Sequence, residues 1–139
     1  MVGILIIAHG TLGESLIHSA SHVMGMRPPL LNQIGVSMDD DPQIVLPQAI
    51  KLIRGLDQSG EGVLVLSDVY GATPCNIACR LLVPGKIEGV AGVNLPMLVR
   101  ALTYRNEPLK TVVAKAVSGG IEGVMQMPVS QVRNAAARN

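Results

Sequence analysis

The sequence predicts one α/β domain: a parallel sheet covered by helices on both faces. Three observations carry this. Strand-like apolar runs alternate with helix-length amphipathic segments along the chain. The apolar content is 48% and almost wholly aliphatic, since Phe and Trp are absent and Tyr70 and Tyr104 are the only aromatics. Val, Ile and Leu dominate strands that are buried on both faces. The 139 residues correspond to a single domain with enough chain to bury a core.

The elements follow in order. Val2–Ala8 (VGILIIA) reads as a buried first strand. Gly13 to about Gly25 reads as a helix, with Leu16, Ile17, Ala20 and Val23–Met24 as its apolar stripe. Leu30–Val36 reads as strand two. Asp41-Pro42 starts a helix, because Asp caps and Pro fits the first helical position. That helix runs to about Leu56, and Pro47 should bend it or mark a later start. Gly60–Gly62 is a turn and Val63–Ser67 is strand three. A helix is expected from about Pro74 to Leu82, and strand four lies within Lys86–Val93. Two helices follow, Pro96–Tyr104 and Pro108–Val117, the second extendable to Gly123. Val124–Val129 reads as a last short strand. The tail QVRNAAARN, with Arg133 and Arg138, reads as solvated and mobile. The division is therefore a domain over 1–127 and a tail over 128–139.

Composition narrows the function classes. The formal net charge is +1 and the charges are spread out. A nucleic-acid partner is not expected, since there is neither a basic patch nor a set of aromatics for stacking. No apolar run reaches membrane length, and MVGILIIA lacks the basic start of a secretory signal. Two cysteines set close together do not make a disulfide framework. The expectation is a cytoplasmic, reduced protein. Its mean hydropathy of +0.40 is assigned to buried strands and subunit contact.

Open parallel sheets place their chemistry at the C-terminal ends of the strands. Three loops lie there: 9–13, 68–76 and 94–96. His9 ends strand one and is followed by Gly10-Thr11. Such an imidazole serves as base, ligand or nucleophile. Asp68 ends strand three in the run SDVYGATPCN. If strands one and three are neighbours, the two side chains meet. An Asp that accepts from one ring nitrogen fixes the tautomer and frees the other as a nucleophile. Gly71, Ala72, Thr73 and Cys75 then offer backbone N–H groups, and Thr73 a hydroxyl, to a phosphate. There is no GxxxxGK[ST] loop and no second acidic cluster for Mg²⁺, so no cofactor is expected. The phosphoryl donor should be another protein or an activated phosphate.

Three motifs, HG at 9–10, DVYGATPCN at 68–76 and AGVNLPMLV at 91–99, resemble the IIA component of the mannose-family sugar phosphotransferase system. The resemblance covers residues 1–127 in order and spacing. It implies a sheet of order 2-1-3-4 and a short C-terminal strand exchanged within a homodimer. It implies that His9 takes a phosphoryl group on Nε2 from the phosphocarrier protein HPr, with Asp68 holding Nδ1–H. The loop 71–75 would cradle the phosphoryl oxygens, and a histidine of a IIB partner would receive the group. No IIB domain follows, so that acceptor should be a separate protein. Contact with a membrane would come only through a transporter complex. Where the family commonly reads D-x-x-G-G-[ST]-P-x-N, Ala72 replaces the second glycine and restricts its torsions. Tyr70 is assigned to partner contact. A related phosphotransfer subunit of dihydroxyacetone kinase shares the histidine strand but lacks the G-[GA]-T-P-x-N loop.

Plainer readings stand beside these. A strand-end histidine also serves as a surface or capping residue, and Asp68 as a loop cap. Small residues at 71–73 suit any strand-to-helix turn. His18 and His22 share zinc-ligand spacing but show no third ligand. Cys75 and Cys79 read as packing residues, although Cys75 sits near a helix start. Asp39-Asp40-Asp41 reads as a helix start rather than a cation site. Asn94-Leu95-Pro96 either closes over the phosphate or caps a helix, and the seven methionines read as core filler. Two functional rivals remain. One is a regulatory phosphoprotein of a truncated phosphotransferase chain that binds targets according to the state of His9. The other is a doubly wound module that binds a small anion and is never phosphorylated.

Overall fold

The computed structural model describes residues 1–130. Its elements are β1 (Gly3–His9), α1 (Leu12–Met24), β2 (Leu31–Val36), α2 (Pro42–Leu56), β3 (Val63–Ser67), α3 (Thr73–Cys79), β4 (Ile87–Ala91), α4 (Leu95–Tyr104) and α5 (Leu109–Glu122). The four strands form one parallel sheet in the order β2-β1-β3-β4. The order and the helix-flanked architecture are those expected from the sequence. Strand one runs through His9 rather than stopping at Ala8, which makes the histidine the last residue held by the ladder.

Side-chain alternation divides the core into two layers. Ile4, Ile6, Ala8, Leu64 and Leu66 face α1, α4 and α5, where Ile17, Leu98, Ala101, Val112 and Ala116 pack against them. Leu5, Ile7, Val63 and Val65 face α2 and α3, meeting Val45, Ala49, Ile53, Ile77 and Ala78. Because β1 is buried on both faces, its sequence is a continuous apolar run rather than an alternating one.

Local chemistry sets the helix ends. Asp41 Oδ1 accepts from the Gln43 N–H at 2.9 Å, and Pro42 fills the first helical position. Pro47 does not delay the start, since α2 is one helix from Pro42 to Leu56. Gly25 closes α1 in the left-handed conformation, φ 79°. Asn94 Oδ1 accepts from the Met97 N–H at 2.9 Å, and Asn94 Nδ2 donates to the Gly120 carbonyl at 3.1 Å. Asn94 is thus a helix cap that ties α4 to α5. Asp40 takes the Ser37 N–H, so two members of the acidic triplet are committed to the turn and helix start.

Several expectations are corrected. α3 ends at Cys79, and the chain then tightens into three-residue turns, Arg80 N–H to Ile77 O and Leu81 N–H to Ala78 O. α5, by contrast, runs to Glu122 within the extension to Gly123 that the sequence allows, with Gly119 and Gly120 packed closely on Arg100 and Met97 of α4. Residues 124–130 form no strand: Val124, Met125, Met127 and Val129 are exposed. Among the described residues this segment pairs with no strand. The methionines are not core filler either. Met97 is buried, but Met24, Met26, Met38, Met125 and Met127 are exposed, Met38 at 99%. The expected solvated tail at 131–139, including Arg133 and Arg138, lies outside the described residues.

One buried cation anchors the end of the sheet opposite His9. Arg105 is 4% exposed and donates to the carbonyls of Val2, Pro29 and Leu30. Leu30, its neighbour in this cluster, holds a positive φ of 50°. Burial brings the Arg105 pKa down to about 10, which still leaves the group charged at neutral pH.

Candidate active site

The sheet brings His9 and Asp68 together. β1 and β3 are neighbours, in register Ile7 with Ser67. Asp68 directly follows Ser67 and His9 stands two residues past Ile7, so both emerge at the C-terminal end of the sheet. Asp68 Oδ2 accepts the His9 backbone N–H at 3.0 Å and lies 2.7 Å from His9 Nδ1. Asp68 Oδ1 accepts from the Val69 N–H at 3.0 Å. The carboxylate is 8% exposed, whereas the imidazole is 52% exposed. A nearly buried acceptor thus holds a ring that is open to solvent.

The state of Asp68 fixes the tautomer of His9. Desolvation is the largest influence on the carboxyl and pushes its pKa up. The His9 backbone N–H, the His9 ring, its own backbone N–H and the His9 charge outweigh that, and the net pKa is lowered. Asp68 is therefore ionised at neutral pH and can only accept. Nδ1 must carry the proton, and in the neutral ring Nε2 holds a free lone pair on the exposed side. That is a nucleophile with its orientation already set.

The lowered pKa gives a signed prediction. The His9–Asp68 contribution to stability should be complete above the unfolded carboxyl value of about 3.9. It should fall away as pH drops through the lower folded value. Denaturant titrations of wild type and Asp68→Asn should differ by a constant amount above about pH 5, and the gap should shrink below about pH 4. A gap that persists unchanged into acid would contradict this.

Gly35 supports the turn after His9. Gly10 turns with φ 52°, and its N–H donates to the Val36 carbonyl at 3.1 Å. A Cβ on Gly35 would sit 2.1 Å from the Gly10 carbonyl oxygen, so only glycine lets the His9 turn lie on β2. Sequence reasoning missed this residue. The available signal was a glycine inside a strand, which marks close approach of another backbone.

Of the four expected backbone donors, the 68–76 loop leaves three free and commits one. Gly71 takes φ 85°. Among the described residues, the N–H groups of Gly71, Thr73 and Cys75 have no hydrogen-bond partner, and neither does the Thr73 hydroxyl. The Ala72 N–H is committed to the Val69 carbonyl at 3.2 Å. Ala72 is therefore not a free donor: its N–H closes the turn that presents the others. Asn76 Nδ2 braces the loop by donating to the Gly71 carbonyl at 3.3 Å. Tyr70 is 83% exposed and Val69 54% exposed on the same loop. His18 and His22 lie exposed on α1, away from the sheet edge that carries His9.

The comparisons identify the family and the fold. The family model described as "PTS system fructose IIA component" (EIIA-man) matches residues 3–117, most of the chain and all of the site. The chain belongs to this family. It is 32% identical over 138 residues to the "PTS system mannose-specific EIIAB component" of Escherichia coli K12. The alignment takes in 97% of this chain but 42% of the relative, so the chain spans less than half the length of that protein. It is 26% identical over 106 residues to the "PTS system fructose-specific EIIA component" of Bacillus subtilis, covering 76% of this chain and 71% of the relative. The fold matches a phosphotransferase system component EIIA from Streptococcus agalactiae with TM-score 0.79 at 25% identity, covering 91% and 97% of the two chains. It also matches a mannose/sorbose-specific IIA subunit from Enterococcus faecalis with TM-score 0.81 at 20% identity, covering 94% and 97%. That second likeness speaks to the fold alone.

Proposed function

We propose that this IIA component is a phosphoryl carrier of a phosphoenolpyruvate-dependent sugar phosphotransferase system. It accepts a phosphoryl group from HPr on Nε2 of His9 and passes it to a histidine of a IIB partner. The observation that carries the reading is the 2.7 Å contact of Asp68 Oδ2 with His9 Nδ1. In the accepting step the Nε2 lone pair forms the new N–P bond as the N–P bond of the donor phosphohistidine breaks. The electron pair returns to the donor ring. As His9 gains positive character, the ionised Asp68 stabilises it through Nδ1–H. The free N–H groups of Gly71, Thr73 and Cys75 and the Thr73 hydroxyl take the phosphoryl oxygens, so that catalysis consists of positioning and charge neutralisation. Exposed Tyr70 and Val69 form the contact surface for the protein partners. Transfer takes place in the cytoplasm.

The same exposed loop serves the regulatory reading. A phosphoryl group on His9 would place close to two negative charges beside Tyr70 and change what docks there.

Incubation with enzyme I, HPr and labelled phosphoenolpyruvate tests the proposal. Wild type should gain one acid-labile, base-stable label, and His9→Ala should gain none. A wild type that takes no label contradicts the carrier reading, and a His9→Ala chain that labels normally moves the site elsewhere.

The proposal includes a homodimer. β4 is an edge of the sheet, and the apolar residues Val124, Met125, Met127 and Val129 extend beyond α5 with 67–87% exposure. Strand exchange would pair that edge and cover those side chains. Light scattering should give a dimer for the full chain and a monomer for a chain truncated after Gly123. A full chain that stays monomeric at high concentration would contradict the exchange.

A further inference from the structure

We propose that Cys75 and Cys79 are a redox-responsive thiol pair, which a hydroperoxide closes into an intramolecular disulfide that weakens the phosphoryl site. Both thiols are free and lie one helical turn apart on α3. Cys75 is buried and Cys79 is exposed. Both line one cavity of about 200 Å³ between α3, β3 and β4, together with Ser67, Tyr70 and Gly89. Ser67 is 2% exposed, and its hydroxyl has no hydrogen-bond partner among the described residues. A buried hydroxyl left unpaired is costly. This one lines the cavity that holds the two sulfurs, where it supplies a donor to a thiolate or sulfenate. Burial first, and then the neighbouring Cys75 thiol, push the Cys79 thiol up from its usual range. A raised thiol reacts slowly, so the pair answers to sustained oxidant rather than to a brief pulse.

The chemistry balances in two steps. The Cys79 thiolate attacks a peroxide oxygen; the S–O bond forms, the O–O bond breaks, and the leaving hydroxide takes up a proton as water. The Cys75 sulfur then attacks the Cys79 sulfenic acid; the S–S bond forms, the S–O bond breaks, and a second water leaves. Two thiols lose two electrons in all, and one hydrogen peroxide becomes two waters.

The geometry permits closure only with movement. Residues four apart in a helix have Cα atoms about 6 Å apart, inside the disulfide range of about 4.4–6.8 Å. Their Cβ atoms are about 5–6 Å apart, whereas a disulfide holds them at about 3.5–4.5 Å. Closure therefore draws Cys75 and Cys79 together by roughly 1–2 Å. The Cys79 end can yield, since the helix there already gives way to three-residue turns. The Cys75 end carries an unpaired N–H of the proposed phosphoryl cradle, and Ser67 precedes Asp68. The thiol chemistry stands apart from the carrier proposal, while the loss of transfer rests on it.

The test treats the reduced full chain with hydrogen peroxide and follows three readouts. Intact mass should fall by two hydrogens with no covalent dimer, and dithiothreitol should restore it. Hydrogen exchange over residues 71–79 should speed up in the oxidised form. Labelling by HPr should slow by about 10- to 100-fold, as an ångström-scale misplacement does. Cys79→Ser should label at the wild-type rate and resist peroxide. A chain that keeps both thiols, gains oxygen without losing the hydrogens, or links only between molecules overturns the pair. A disulfide that leaves exchange and labelling unchanged overturns its effect on the site. If the reduced chain takes no label at all, the carrier reading fails, while mass and exchange still decide the thiol pair.

Discussion

Asp68→Asn should slow phosphoryl uptake by His9 about 10²- to 10⁴-fold, the scale seen when a triad histidine loses its orienting carboxylate. The substitution keeps the shape of the side chain. It removes an acceptor-only group and replaces it with an amide that can donate. An amide N–H aimed at Nδ1 selects the opposite tautomer, which puts the proton on Nε2 and removes the lone pair. It also withdraws the negative charge that stabilises the ring once Nε2 is phosphorylated. The fold should survive, because Asp68 sits at the rim of the sheet and the core layers on either side do not use it. Rapid-quench measurement of label on His9, with far-UV circular dichroism as the control, checks both halves. Unchanged uptake would remove the orienting role.

Arg105→Ala should cost about 3–5 kcal/mol of stability without altering the chemistry at His9. The guanidinium donates to Val2 O at 2.8 and 3.0 Å, to Pro29 O at 2.6 Å and to Leu30 O at 2.7 Å. Alanine leaves the Val2 and Pro29 carbonyls without a donor, the Leu30 carbonyl with only the Ile4 N–H, and a cavity at the start of the sheet. Arg105→Lys should recover only part of the loss, since one ammonium cannot reproduce the planar fork. Val2 and His9 lie at opposite ends of β1, roughly 20 Å apart at strand rise. The folded fraction of the alanine variant should therefore label at the wild-type rate. Urea denaturation should show a lower midpoint with an unchanged slope.

The sequence made the frame legible because β1 and β3 are buried on both faces and punctuated by turn residues. Asp41-Pro42 marked α2 by chemistry alone, and the structure shows the cap in place. His9 and Asp68 were legible because both stand at the ends of strands that the family resemblance makes neighbours. What was hidden depends on contacts distant in sequence. Nothing in the local pattern says that Arg105 is buried, since its partners lie 75 to 103 residues away. The Ala72 N–H is lost to a turn bond with Val69, which composition cannot reveal. The apolar stretch 124–129 has strand composition, but among the described residues it pairs with no strand. Gly35 carried a readable signal that was passed over: a glycine in a strand that another backbone must cross.

The central claim is that His9 receives a phosphoryl group on the nitrogen that Asp68 leaves free. Phosphorylating ¹⁵N-histidine-labelled chain with enzyme I, HPr and phosphoenolpyruvate, then reading the ³¹P–¹⁵N couplings, tests it directly. The account predicts one phosphoryl group, on Nε2 of His9. A phosphoryl group on Nδ1, or on His18 or His22, would contradict it.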